Sequence, residues 1–288
     1  MSLAVVTVVS GRHEHLREQI RGLARSTRPP DHHVVIAMGD PRISDIVADV
    51  VADTGTDTGT GTGTATVRYI DTVDGRLPLA HARNLGAQTA LDQGADILVF
   101  LDVDCIPGPH MLSIYERACE DSSNSTALLC GPVTYLPPHP GRWSEEELIA
   151  HTNPHGARPS PAVGAVESGT NYDLFWSLSF AVTARTWAQL GGFFEGYTGY
   201  GGEDTDLGAT ARASGIGLRW VGGAHAYHQH HAVSSPPVEH VDDIVRNARL
   251  FHTRWSRWPM EGWLAEFERR GLVARTASGR IRRLGEPL

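Results

Sequence analysis

The sequence predicts an α/β fold: a mostly parallel central sheet flanked by helices, with a helical segment at the carboxyl-terminal end. Three observations carry this. The chain opens strand–helix–strand, with a β-branched run at Leu3–Val9, Leu16, Ile20 and Leu23 at helical spacing, and a second apolar run at His33–Met38. The run Ile97-Leu98-Val99-Phe100-Leu101 is too short for a helix and suits a strand buried on both faces, as parallel strands are. Residues Glu239–Arg270 read as two helices beyond the sheet region.

Taken in order, Leu3–Val9 turns at Ser10-Gly11 into a helix over Glu14–Arg25, and His33–Met38 closes on Gly39-Asp40 before a short helix at Ile43–Val51. Asp53–Thr66 is a Thr/Gly repeat without core-forming side chains, expected as a flexible surface insertion. Val67–Ile70 makes a short strand, and Leu79–Gln93 a helix carrying His81, Arg83 and Asn84 in its first turns. The Ile97–Leu101 strand ends in Asp102-Val103-Asp104 and is broken by Pro107-Gly108-Pro109. A helix from about His110 to Cys119 and a strand at Ala127–Tyr135 follow. Leu136–Ala165, rich in Pro, Gly and His with one helix around Glu145–His151, reads as a mobile loop over a site. Leu174–Val182 is expected as a strand and Asp204–Ala213 as a helix; Gly217–Val221 and Ala224–His228 close the sheet region. The chain thus divides into a sheet domain, 1–232, and a helical, Arg-rich extension, 233–288, with Arg275–Leu288 as a loose tail.

Composition excludes several classes. With 288 residues, 41% of them hydrophobic, the chain can bury a full core. A net charge of −8 gives no electrostatic case for nucleic acid. All 25 basic residues are Arg, so Schiff-base chemistry and a P-loop lysine are out. Ten of these arginines lie between Arg246 and Arg283, against Glu261, Glu266 and Glu268. Cys105, Cys119 and Cys130 have no metal-type spacing and fit a reducing compartment. Met1–Ser10 reads as a strand rather than a signal peptide, and no apolar run approaches the ~18 residues of a membrane span. A cytoplasmic location is expected, with the basic tail suited to the inner membrane face.

Three clusters carry chemistry. Asp102 and Asp104 leave the sheet at a strand's carboxyl end, where ligands of open α/β sheets bind. Two carboxylates there suit Mg²⁺ or Mn²⁺; the other reading is a solvated Asp-x-Asp turn. Gly199-Tyr200-Gly201-Gly202-Glu203-Asp204-Thr205-Asp206 places acidic residues at a helix start, either as an N-cap or as the source of a general base. In Ala224–His231, read as a strand, His228 and His230 share one face and His225, Tyr227, Gln229 and His231 the other. A histidine here either completes a metal site on Asp104 or belongs to a surface patch.

These elements, in this order, resemble the GT-A (nucleotide-diphospho-sugar transferase) glycosyltransferases, family-two type, with a carboxyl-terminal segment like that of the β-1,4-galactosyltransferases. Asp102-Val103-Asp104 matches the family's aspartate–x–aspartate motif, and Gly199–Asp204 its Gly-Trp-Gly-Gly-Glu-Asp signature, with Tyr200 in the Trp place. Trp176-Ser177-Leu178-Ser179-Phe180-Ala181 and Gly191-Gly192-Phe193 look like the framework before that signature. The resemblance implies a metal-dependent, inverting transfer of a hexose from a nucleotide-diphosphate sugar, a UDP-sugar by preference, to an acceptor hydroxyl. Asp204 would be the catalytic base and Glu203 its sugar-gripping neighbour. Asp104 and His228, which lies 24 residues after Asp204, would hold Mn²⁺ or Mg²⁺, with Asp102 at the ribose or the metal's water shell. Arg83, Thr7 and Asp40 would contact the donor, and Tyr200 and Trp176 the sugars. Thr205 replaces an Asp that helps galactosyltransferases hold their acceptor, so the acceptor does not carry over; a small glycoside and a lipid-linked acceptor both remain. Three rivals are weighed: a nucleotidyltransferase acting on sugar phosphates, whose phosphate loop after the first strand is missing at Ser10-Gly11-Arg12-His13, a nucleotide-sugar binding module without turnover, and a His-based metal hydrolase, for which the spacing is poor.

Overall fold

Along Ile97–Leu101 every side chain is buried, and alternate residues enter different cores. Leu98 and Phe100 join the cluster of Val6, Ile36, Phe180 and Trp187, whereas Ile97, Val99 and Leu101 join that of Leu3, Val5, Met111 and Tyr115. A period of two with both faces apolar makes this a central strand. The computed structural model describes residues 1–54, 65–232, 234–276 and 279–284. The Thr/Gly repeat falls largely outside them, at 55–64.

The first half alternates regularly: β1 (Leu3–Val9), α1 (His13–Ala24), β2 (His32–Met38), α2 (Ile43–Thr54), β3 (Ala65–Ile70), α3 (Leu79–Asp92) and β4 (Ile97–Leu101). Then come β5 (Cys105–Pro107), α4 (Met111–Glu120), β6 (Ala127–Cys130), β7 (Val133–Tyr135), α5 (Glu145–Ala150), β8 (Val166–Gly169), β9 (Ser179–Thr183) and α6 (Ala184–Leu190). The remainder is α7 (Glu203–Ala213), β10 (Gly217–Val221), β11 (Ala226–His228), α8 (Val241–Trp255), α9 (Glu261–Arg269), β12 (Val273–Arg275) and β13 (Ile281–Arg283).

The main sheet runs β3-β2-β1-β4-β9-β6-β10-β8. The β3–β4 half is parallel, β9 is antiparallel to β4 and β6, and β8 is an antiparallel edge. Helix α3 presses on β1 at Gly86, where a Cβ would come within 2.4 Å of Val6. That close approach seats the first turns of α3, and with them Arg83, near the end of β4.

Three local expectations change. Ala127–Tyr135 is two strands in different sheets, because β7 leaves the main sheet to pair with β11. Of the run Leu174–Val182 the strand takes only the end, as β9 begins at Ser179 and continues to Thr183; Tyr172–Leu174 is a 3₁₀ turn. The described part of the tail is tied down, since β13 pairs with β12 and Ile281 is buried.

Candidate active site

The small sheet β5-β11-β7 brings the first acidic motif to the histidines. His228 is the register partner of Cys105, and the Gln229 N–H donates to the Asp104 carbonyl at 2.7 Å. His228 Nε2 therefore stands 3.4 Å from Asp104 Oδ2, while its ring stacks on Tyr135 at 4.5 Å. The chain turns after His228, and His231 Nε2 returns to the same oxygen at 3.3 Å. Candidate ligand atoms of Asp104, His228 and His231 all lie within 4.8 Å of one another. Burial alone would push the Asp104 carboxyl up; the two rings hold it well below the usual range. One carboxylate and two imidazoles fit Mn²⁺ better than Mg²⁺, which favours oxygen-only sets.

The turn carrying Asp102 and Asp104 is clamped from below. Gln19, fully buried on α1, donates to the carbonyls of Asp102 at 2.7 Å and Cys105 at 3.2 Å. Its Oε1 accepts from Thr7 Oγ1 at 2.8 Å.

Arg83 joins the first acidic motif to the second. Its Nη2 donates to Asp102 Oδ1 and its Nη1 to Glu203 Oε1, each at 3.0 Å, with the guanidinium 5.3 Å from the Phe193 ring centre. Arg83 and Glu203 are 5% and 6% exposed, so these charges sit in a poor solvent and depend on one another. Glu203 Oε2 is buried without a partner among the described residues. Asp204, next along the first turn of α7, is half-buried and accepts from the Thr205 N–H at 2.7 Å. Burial first, then the charge of Glu203, raises it to about 7. A carboxylate poised there can take a proton near neutral pH.

Known proteins resemble this chain in sequence and in fold. The family described as the N-terminal domain of galactosyltransferase matches residues 159–232. Validoxylamine A glucosyltransferase of Streptomyces hygroscopicus subsp. limoneus is 28% identical over 268 residues, which take in 85% of this chain and 56% of that protein. The chain thus spans little more than half the length of this relative. TarS of S. aureus, solved also in complex with UDP-GlcNAc, superposes with a TM-score of 0.58 at 14% identity over 94% of this chain and 72% of its own. GalNAc-T7, solved with UDP, GalNAc and Mn²⁺, gives 0.59 at 14% over 93% and 57%. The chain has the GT-A glycosyltransferase fold.

On the GT-A scaffold the expected residues separate into those gathered and those held apart. Arg83 joins Asp102 to Glu203 with Asp204 next in the chain, and Asp104 with His228 forms a second group that starts two residues after Asp102. Thr7 is a correction: it is 0% exposed, and Gln19 and His33 Nε2, at 3.2 Å, occupy its hydroxyl, so it offers no group to a donor. Arg83, expected at the donor, pairs its guanidinium with two carboxylates. Asp40 ends β2 and is held by His13 Nε2 at 2.6 Å and Arg42 Nε at 3.3 Å, which lower its carboxyl to about 2. Tyr200, 39% exposed, stacks on His240 at 4.5 Å, so one ring face is already covered. Trp176 is half-buried, with the His155 ring edge-on at 5.3 Å and the Arg158 guanidinium 5.3 Å away.

Sequence reasoning missed His231 and Gln19. Strand alternation assigned His231 to the face opposite His228, but β11 stops at His228 and alternation has no force beyond a strand's end. Gln19 carried no signal except a polar residue within an apolar helical stripe. The Arg-rich extension is largely neutralised: Arg246, Arg254, Arg257, Arg269, Arg270, Arg275 and Arg283 all pair with carboxylates. Among the described residues no helix is long and apolar enough to cross a membrane.

Proposed function

We propose that this chain is a metal-dependent, inverting glycosyltransferase that moves a hexose from a UDP-sugar to an acceptor hydroxyl. The observation that carries this reading is the Arg83 bridge, which ties the carboxylates after β4 to those opening α7, where Asp204 is poised near neutrality. The donor class is supported by neighbours solved with UDP-GlcNAc and with UDP, GalNAc and Mn²⁺.

In this mechanism Asp204 accepts the proton of the acceptor hydroxyl as its oxygen attacks the anomeric carbon from the side opposite UDP. The bond from that carbon to the diphosphate oxygen breaks, the electron pair leaves with UDP, and the configuration inverts. Glu203 offers its free Oε2 to a sugar hydroxyl, and Asp40 meets the nucleoside. Trp176 and the open part of Tyr200 give apolar surface to sugar rings. Asp104, His228 and His231 would hold Mn²⁺ or Mg²⁺, with Asp102 beside them; a cation there neutralises charge on the leaving diphosphate.

The paired arginines of the extension favour a small glycoside-like acceptor over an anionic lipid surface, in keeping with a relative named for validoxylamine A. Cytoplasmic residence belongs to the proposal and is supported by three free, buried cysteines. The test is calorimetric titration with UDP, GDP, CDP and ADP, each with Mn²⁺ and with chelator. Metal-dependent binding of UDP is expected. Binding of none by folded protein would end this reading, and pyrophosphate release from a nucleoside triphosphate would replace it with a sugar-phosphate nucleotidyltransferase.

A further inference from the structure

The side of α8 turned toward α7 packs Phe251 against Ala209 and also carries polar residues: Asp243, Arg246, Asn247 and Arg254. All four reach the chain around the second acidic motif. Arg254 and Trp255 donate to Asp206 Oδ2 at 2.8 and 2.7 Å. Arg246 donates to the Thr198 carbonyl, and Asp243 accepts from the Tyr200 N–H at 3.2 Å.

Asn247 sits at the centre of this contact. It is 1% exposed, and its Nδ2 faces the carbonyls of Thr198 at 3.1 Å, Tyr200 at 3.2 Å and Gly201 at 2.7 Å. Its Oδ1 is buried without a partner among the described residues. A buried side chain that leaves its acceptor unsatisfied is held there by what its donor does. The donor holds a loop with little shape of its own. Gly199, Gly201 and Gly202 have φ of +70°, +84° and +100°, and a Cβ on Gly199 would come within 2.1 Å of Asp243 Oδ2. A glycine run visits many conformations at similar cost, so an outside group must select one. Immediately after it come Glu203 and Asp204.

We propose that Asn247 is a positioning residue: its amide fixes the glycine loop and thereby sets where Asp204 meets the acceptor hydroxyl. The catalytic half of this statement rests on the glycosyltransferase reading; the loop-fixing half does not. The extension is then part of the active-site apparatus, although Asn247 itself touches no substrate.

The experiment compares full-length wild type with Asn247→Leu and, as a control, Val245→Ala, whose side chain lies in the apolar cluster of the extension. Amide hydrogen exchange over residues 198–205 reads the loop; turnover of UDP-glucose, UDP-GlcNAc and UDP-GalNAc against water and methyl glycosides reads the chemistry. In Asn247→Leu the loop amides should exchange about tenfold faster or more. The kcat should fall about 10²-fold with KM for the donor unchanged, as expected for a displaced base. Val245→Ala should lower Tm without that kcat loss. Wild-type exchange in the Asn247→Leu loop overturns the proposal, as does a kcat loss that merely follows Tm in both variants. If Asn247→Leu does not fold, the isosteric Asn247→Asp, which replaces the donors by acceptors, takes its place. A wild type that turns over no nucleotide sugar refutes the glycosyltransferase reading and the catalytic half with it, and the exchange data then decide the loop-fixing half alone.

Discussion

Arg83 and Glu203 are 120 residues apart in the chain, yet Nη1 of one lies 3.0 Å from Oε1 of the other, both nearly closed off from solvent. With Asp102 on the other side of the guanidinium, the bridge joins two motifs that have no contact in sequence. Removing the cation strands two carboxylates. Arg83→Met should destabilise the fold by about 3–5 kcal/mol in urea titration and abolish transfer. Arg83→Lys should restore part of the stability but little activity, since an ammonium cannot bridge both carboxylates in a planar fork. A loss well under 1 kcal/mol for Arg83→Met would show that the bridge is dispensable.

The base proposed at Asp204 would work only when ionised. With its carboxyl raised to about 7, kcat/KM should rise about tenfold per pH unit on the acid side and level off above neutrality. Asp204→Asn should cost about 10²–10⁴-fold in turnover and leave Mn²⁺-dependent UDP binding intact. Unchanged turnover would remove Asp204 from the chemistry.

The trio at Asp104 makes a separate prediction about metal. Asp104→Asn, His228→Gln and His231→Gln should each weaken Mn²⁺-dependent UDP binding about tenfold or more. Chelation should stop turnover and added Mn²⁺ restore it. Wild-type affinity in His231→Gln would return the ion to Asp104 and His228.

His33 predicts a pH-dependent stability unrelated to catalysis. It is 5% exposed with its Nε2 3.2 Å from the Thr7 hydroxyl, and burial lowers its pKa to about 4. The folded value lies below the unfolded one, near 6.5, so the fold binds the neutral ring. That stability is complete above pH 6.5 and is lost as pH falls toward 4, by about 2 kcal/mol at pH 5. His33→Gln should flatten the fall in Tm between pH 7 and 5; an unaltered slope would assign the acid sensitivity elsewhere.

Patterns of local origin were legible in the residues themselves. The opening strands and α1 follow from periodicity, and the two acidic motifs stand out because carboxylates at a strand end and a helix start are costly without a purpose. The antiparallel placement of β9 between β4 and β6 was not legible, because an apolar run buried on both faces looks the same in either direction. Nor was the role of α8, whose polar face reads as solvated until the chain it grips is seen beside it.

The sequence alone determined the α/β class, the carboxylates at the end of β4 and the base candidate at the start of α7, since each depends on residue type and short-range spacing. Tertiary structure decided that His231 joins His228 at Asp104, that Thr7 is shut away, that Arg83 bridges Asp102 and Glu203, and that the Asn247 amide faces the carbonyls of the glycine loop. These are contacts between residues tens to hundreds of positions apart. Burial, which no local pattern encodes, makes each of them either costly to break or impossible to reach.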